Sequence, residues 1–192
     1  MRIAVLLLCL LIGFPAHAEP SDVEAKASAR QVLIALRILA YDKALADRHP
    51  GDTVTIAIVS GSSADGRAER ARWQAGFALV PRVKVGGRAV RVVSFEYGSR
   101  AAFDAAIVKY APAAVIVAHD LESSIPEIRG VTRSRRTLSI ASERALRSGL
   151  SVAVVPRHER DEILINLEAS RGEGVRFAAG LLQLAKIIED AP

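Results

Sequence analysis

Thr53-Val54-Thr55-Ile56-Ala57-Ile58-Val59, followed at once by Ser60-Gly61-Ser62-Ser63-Ala64-Asp65-Gly66-Arg67, is the stretch that decides the fold. The first seven residues are rich in β-branched side chains and predict a strand. Ser60 to Gly66 is a small-residue turn, and Arg67 to Leu79 reads as a helix. Two further runs, Ala113 to Ala118 and Leu150 to Val155, are almost wholly apolar. Strands buried on both faces have this composition, and helical patterns lie between them. The sequence therefore predicts an α/β chain forming a single three-layer domain, a mainly parallel sheet with helices on both sides.

The remaining elements fit around that frame. From Ala25 to about Leu45, Val32, Leu33, Leu36, Leu39 and Ala40 recur at the spacing of one helical face. On that reading Leu33, Leu36 and Ala40 face the core, while Arg30, Arg37 and Lys43 face outward. Val90 to Phe95 is a strand, Ser99 caps a helix from Arg100 to Tyr110, and a short helix runs from Ile125 to Arg133. Thr137 to Ile140 is a strand, and Ser142 caps a helix that Gly149 ends. The link from Pro156 to Asp161 is short enough for a hairpin, so Glu162 to Leu167 is expected as an antiparallel strand near one edge. Phe177 to Ile188 reads as a terminal helix, with Leu181, Leu184, Ala185 and Ile188 packed on the sheet.

Residues 1–18 carry an export signal: Arg2, then the apolar run Ile3 to Phe14, then the small-residue site Ala16-His17-Ala18. The run is too short for a permanent anchor. Cys9 sits inside it, where a lipid-modified cysteine would leave too short an apolar segment. Cleavage after Ala18 gives a periplasmic chain beginning at Glu19, with one domain over residues 19–192. Removing 18 residues from 192 leaves 174, enough for a substantial core. Cys9 is the only cysteine, so the processed chain has no thiol chemistry. The net charge of +5 is mostly arginine. No basic run is interleaved with aromatics, so nucleic acid is not an expected partner.

In an open α/β sheet, ligands bind beyond the carboxyl ends of the strands. That rule selects Ser60, Gly61, Ser62 and Ser63, then His119-Asp120, Ser139 to Ser142, and Arg157-His158. Gly61 to Arg67 is one step from a phosphate-binding loop, but Arg67 replaces its lysine and Ala68 its hydroxyl. Two readings stand: an anion held by Ser62 and Ser63 at a helix N-terminus, or a turn with a helix cap. His119, Asp120 and His158 lack the local spacing of a metal site, and His49 belongs to a solvated turn. No G-x-S-x-G elbow occurs, so no catalytic residue, metal or cofactor is assigned. Arg129, Arg133, Arg135 and Arg136 cluster at one helix end.

The C-terminal stretch is the most distinctive. It carries Ile165-Asn166-Leu167, then Ala169 and Arg171 with one residue between them, then Leu181-Leu182-Gln183-Leu184-Ala185-Lys186-Ile187. Asn166, in an otherwise apolar strand, requires a backbone partner for its amide. This pattern resembles the close of YfiR-like (YfiR/HmsC) proteins, and the early apolar helix ending near Tyr41 and the strand from Thr53 to Val59 also fit. Two departures stand out: there is no cysteine for a disulfide, and Ala178-Ala179 replaces the usual Ser-Ser. The resemblance implies a periplasmic, non-enzymatic regulator. Its best-known relatives repress a membrane-bound diguanylate cyclase through its periplasmic domain and so lower cyclic di-GMP signalling and biofilm formation. Glu168, Arg171 and Arg176 lie in or beside this stretch and are the expected partner-binding residues, for that domain or for a homodimer. The alternative is a periplasmic binding protein for a small anion or metabolite, serving a transporter, with Ser60 to Ser63 as its site.

Overall fold

The computed structural model describes residues 22–157 and 161–188. The export signal, its cleavage site and His158 lie outside the described residues. Among those residues, no helix is long and apolar enough to cross a membrane.

Helix α1 (Asp22–Ala40) and the single turn α2 (Leu45–Arg48) precede β1 (Thr53–Ser60). Then follow α3 (Ala64–Ala78), β2 (Ala89–Glu96), α4 (Arg100–Tyr110) and β3 (Ala114–Val117). A 3-10 turn at His119–Ser124 leads into α5 (Ile125–Arg135), β4 (Leu138–Ala141), α6 (Glu143–Arg147) and β5 (Val152–Val155). The chain closes with β6 (Glu162–Asn166), α7 (Leu167–Gly172), α8 (Ala179–Leu182) and β7 (Lys186–Ile188).

The seven strands form one sheet in the order β2-β1-β3-β4-β5-β6-β7. The first five are parallel, β6 runs antiparallel to β5, and β7 is parallel to β6. This is the predicted three-layer architecture with its antiparallel strand near one edge. From Val54 to Ser60, β1 is buried at every position, which is why its sequence does not alternate. Its Val54, Ile56 and Ile58 pack under α1 and α3. Ala57 and Val59 pack on the other face with Phe103 and Ile107 of α4 and Ile128 of α5.

Two expectations fail, for tertiary reasons. Helix α1 buries Val32, Ala35, Leu36, Ile38 and Leu39, while Leu33 is 43% exposed and Ala40 lies outside. Apolar residues surround much of this helix, and the sheet selects the face centred on small Ala35. The terminal helix does not form beyond the four residues of α8. Ile187 and Ile188 instead pair with Ile165 and Asn166 as an edge strand. Leu181 is buried, but Leu184 is 68% exposed. The free backbone edge of β6 offers these β-branched residues hydrogen bonds that a helix could not, and a short apolar run cannot declare between the two by periodicity.

Candidate functional site

The strand order reverses between β1 and β3, so the crevice at their carboxyl ends is where this architecture binds ligands. Ser63 caps α3, its Oγ accepting the Gly66 N–H at 2.9 Å. The helix thus begins three residues earlier than its apolar pattern predicts. The crevice is filled from within. Asp120 Oδ1 accepts the Gly61 N–H at 3.0 Å, and Oδ2 accepts the Ser63 hydroxyl at 2.6 Å. A β-carbon on Gly66 would stand 1.9 Å from Asp120 Oδ2. Two of the residues assigned to an anion, Gly61 and Ser63, therefore hold the protein's own carboxylate. Ser60 is buried with its hydroxyl on the Gly61 carbonyl, and Ser62 is exposed.

His119 and Asp120 do not converge on one point. His119 pairs through Nδ1 with Glu69, and its backbone N–H donates to the same carboxylate at 2.9 Å. The side-chain hydrogen bond with Glu69, the largest cause, raises the His119 pKa above 6.5. His49, expected in a solvated turn, is half-buried against Arg48 and Arg88. Burial first, then the two guanidiniums, lower its pKa to about 4. Among the described residues no three His, Cys, Asp or Glu side chains are placed to hold a metal ion.

Beside the filled crevice lies an open cleft of about 260 Å³, between α1, α3 and the carboxyl ends of β3, β4 and β5. Gln31, Arg72 and Trp73 form one wall, and Ala141, Glu143 and Pro156 the other. Glu143 is engaged by Arg147 and Arg157, and Glu69, also at the cleft, by His119. Arg72 has no ion pair among the described residues. An uncommitted guanidinium next to an indole and an aliphatic wall suits a small carboxylate with an apolar body. Sequence reading reached only one edge of this cleft, at Ala141 and Ser142 after β4, because the rest joins α1, α3 and other strand ends far apart in the chain.

The C-terminal motif is stitched to the end of α1. Buried Asp42 accepts the N–H groups of Ala44 at 3.0 Å and Arg176 at 2.9 Å, and pairs with Arg48. Lys43 N–H donates to the Arg176 carbonyl, and Ala178 N–H to that of Tyr41, each at 2.9 Å. Asn166 ends β6 and caps α7, accepting the Ala169 N–H at 2.9 Å, so the expected polar turn is a short helix. Glu173 is fully buried. It accepts the Ser139 N–H at 2.8 Å and the Ser151 hydroxyl, and burial raises its pKa. The one trace of this junction in the sequence is an acid, Asp42, directly after an apolar helix. Glu168, Arg171 and Arg176 are all exposed on the outer side of it. Arg176 pairs with Asp47 at 3.2 Å, whereas no ion pair joins Glu168 to Arg171.

No curated protein matches the chain. Its fold is similar to that of a conserved domain protein from Vibrio cholerae O1 biovar eltor, at 12% identity and a TM-score of 0.61, covering 83% of this chain and 59% of that one. It is also similar to an ABC domain in complex with L-Trp from Streptococcus pneumonia, at 13% identity and a TM-score of 0.55, covering 79% of this chain and 60% of that one. A ligand-free, open substrate binding protein with adhesive properties from Clostridium difficile gives 12% identity and a TM-score of 0.54, covering 72% and 55%. The chain thus spans between half and two thirds of the length of these proteins. At the level of sequence, the family model described as YfiR/HmsC-like matches residues 30–186, both sides of the Asp42 junction included, and the chain belongs to that family.

Proposed function

We propose that this chain is an exported, non-enzymatic regulator that acts in the periplasm by docking on the periplasmic part of an inner-membrane protein. The YfiR/HmsC-like family is one of periplasmic regulatory proteins, and the match over residues 30–186 carries the reading. Residues 1–18 act as the signal peptide, and residues 19–192 form the regulatory domain. A diguanylate cyclase is the partner this family favours. The junction of Asp42 with the C-terminal motif supports the reading, because it holds Glu168, Arg171 and Arg176 on a rigid base while leaving them exposed. The test is cyclic di-GMP in cells carrying a genomically linked cyclase. The wild-type protein lowers it, while Glu168→Arg folds normally and lowers it less. Equal levels with and without the wild-type protein would overturn the reading. N-terminal sequencing of the periplasmic protein should begin at Glu19.

A second reading, ligand binding, is favoured by one observation, the free Arg72 beside Trp73 in the carboxyl-edge cleft. On this reading a small carboxylate with an apolar body, rather than an inorganic anion at Ser60 to Ser63, is the ligand. Benzoate or phenylacetate would then raise the melting temperature saturably. Arg72→Ala would abolish the rise, and Ser62→Ala with Ser63→Ala would leave it. No rise with either compound counts against this reading.

A further inference from the structure

Three arginines from one side of α5 and its C-cap lie across the ends of two other helices. Arg129 covers Gly149, just past the end of α6. Arg133 covers Gly172, the last residue of α7, and Arg136 covers Gly174. The contact is close at each point. A β-carbon would stand 2.7 Å from Arg129 Nη1 at Gly149, 3.2 Å from Arg133 Nε at Gly172 and 2.7 Å from Arg136 Nε at Gly174. The three side chains are thereby laid down on bare backbone. Arg171, immediately before Gly172 in the chain, is exposed as well.

The charges in this row are not neutralised. Among the described residues, no ion pair involves Arg129, Arg133, Arg136 or Arg171, although eight other basic side chains do pair, His119 and seven arginines. Capping the carbonyls at the ends of α6 and α7 would be the ordinary use of such residues. Among the described residues, no hydrogen bond runs from their guanidiniums to those carbonyls, and Arg133 Nε is buried without an acceptor. Glu168, on α7, is the one exposed carboxylate of that helix.

We propose that Arg129, Arg133, Arg136 and Arg171 form a docking face for an acidic segment of a protein partner. The proposal names the chemistry of the partner surface and rests on the docking reading above for the existence of a partner. Arg129 and Arg133, four residues apart on α5, stand about 5–6 Å apart at their β-carbons, within reach of neighbouring carboxylates on a helical peptide. Each guanidinium offers paired donors to a carboxylate. Because the side chains are already held on the glycines, little rotamer freedom remains to be lost on binding. A bilayer fits less well. Membrane surfaces favour projecting basic groups with apolar or aromatic insertion, and the exposed large apolar residues Val23, Leu33, Leu79, Val108, Leu184 and Ile187 all lie on other elements.

The test uses fluorescence anisotropy of labelled hexaglutamate, with hexaglutamine as its neutral control and phosphatidylglycerol vesicles as the lipid arm. Hexaglutamate binds at low salt and weakens as salt rises. Arg129→Gln, Arg133→Gln and Arg136→Gln together weaken it at least about tenfold, as expected when several charge-assisted pairs are lost. Removing equal charge elsewhere, by Arg70→Gln, Arg82→Gln and Lys84→Gln, changes it less than about twofold. An equal loss in both triple variants would reduce the effect to net charge and overturn the proposal. So would vesicle binding that depends on the row while hexaglutamate does not bind. Should the first triple variant fail to fold, the pair Arg136→Gln and Arg171→Gln, both at exposed positions, must still weaken hexaglutamate. Hexaglutamate binding with no effect on any cyclase would sink the regulatory reading and keep the face. Regulation without a row-dependent peptide would do the reverse.

Discussion

The carboxylate of Asp120 occupies the space that a side chain at Gly66 would need, with Oδ2 1.9 Å from the β-carbon position. The pair makes the switch-point crevice a closed internal joint, tying the 3-10 turn after β3 to the start of α3. Asp120→Ala leaves the Gly61 N–H and the Ser63 hydroxyl without their acceptor and should cost about 1–3 kcal/mol. Gly66→Ala should destabilise the wild type but cost clearly less in the Asp120→Ala background. Urea denaturation of the four proteins gives the coupling. Additive losses would mean that the two residues do not compete for the same space.

Leu181 and Leu184 are distinguished by the edge strand. Leu181→Ala should cost about 2–5 kcal/mol, as a buried leucine does. Leu184→Ala should stay within about 0.5 kcal/mol. A continuous C-terminal helix would instead make both losses large.

Glu173 links stability to pH. Burial raises its folded pKa above the ordinary 4.5, so between those two values the folded state binds the extra proton. Its contribution is present below about pH 4.5 and is lost as pH rises through the raised value. Glu173→Gln keeps an oxygen for the Ser139 N–H and the Ser151 hydroxyl but cannot ionise. The variant should therefore gain on the wild type as pH rises from 4.5 toward neutrality. Parallel stability curves for the two proteins would refute this.

His49 and His119 should titrate in opposite directions from 6.5. Proton NMR of the imidazoles should place His49 near 4 and His119 above 6.5. Glu69→Gln should return His119 toward 6.5 and leave His49 unmoved. The His119–Glu69 contribution to stability is complete below 6.5 and disappears as pH rises through the raised value. It is small, because solvent reaches the half-exposed His119 and screens the pair.

The sequence by itself determined the class of sheet, most of its strands and the helix caps at Ser99 and Ser142, because burial on both faces and capping are written in consecutive residues. It also marked the C-terminal motif, since Asn166 in an apolar strand needs a local partner and finds one at Ala169. Tertiary structure alone decided which face of α1 is buried, because apolar residues surround that helix and only the sheet breaks the tie. It also made Ile187 and Ile188 a strand, since only a neighbouring edge can satisfy their backbone that way. The filled crevice, the Arg72 cleft and the arginine row over Gly149, Gly172 and Gly174 belong to the same class. Each is a contact between segments far apart in the chain, where no local spacing records which charge meets which backbone.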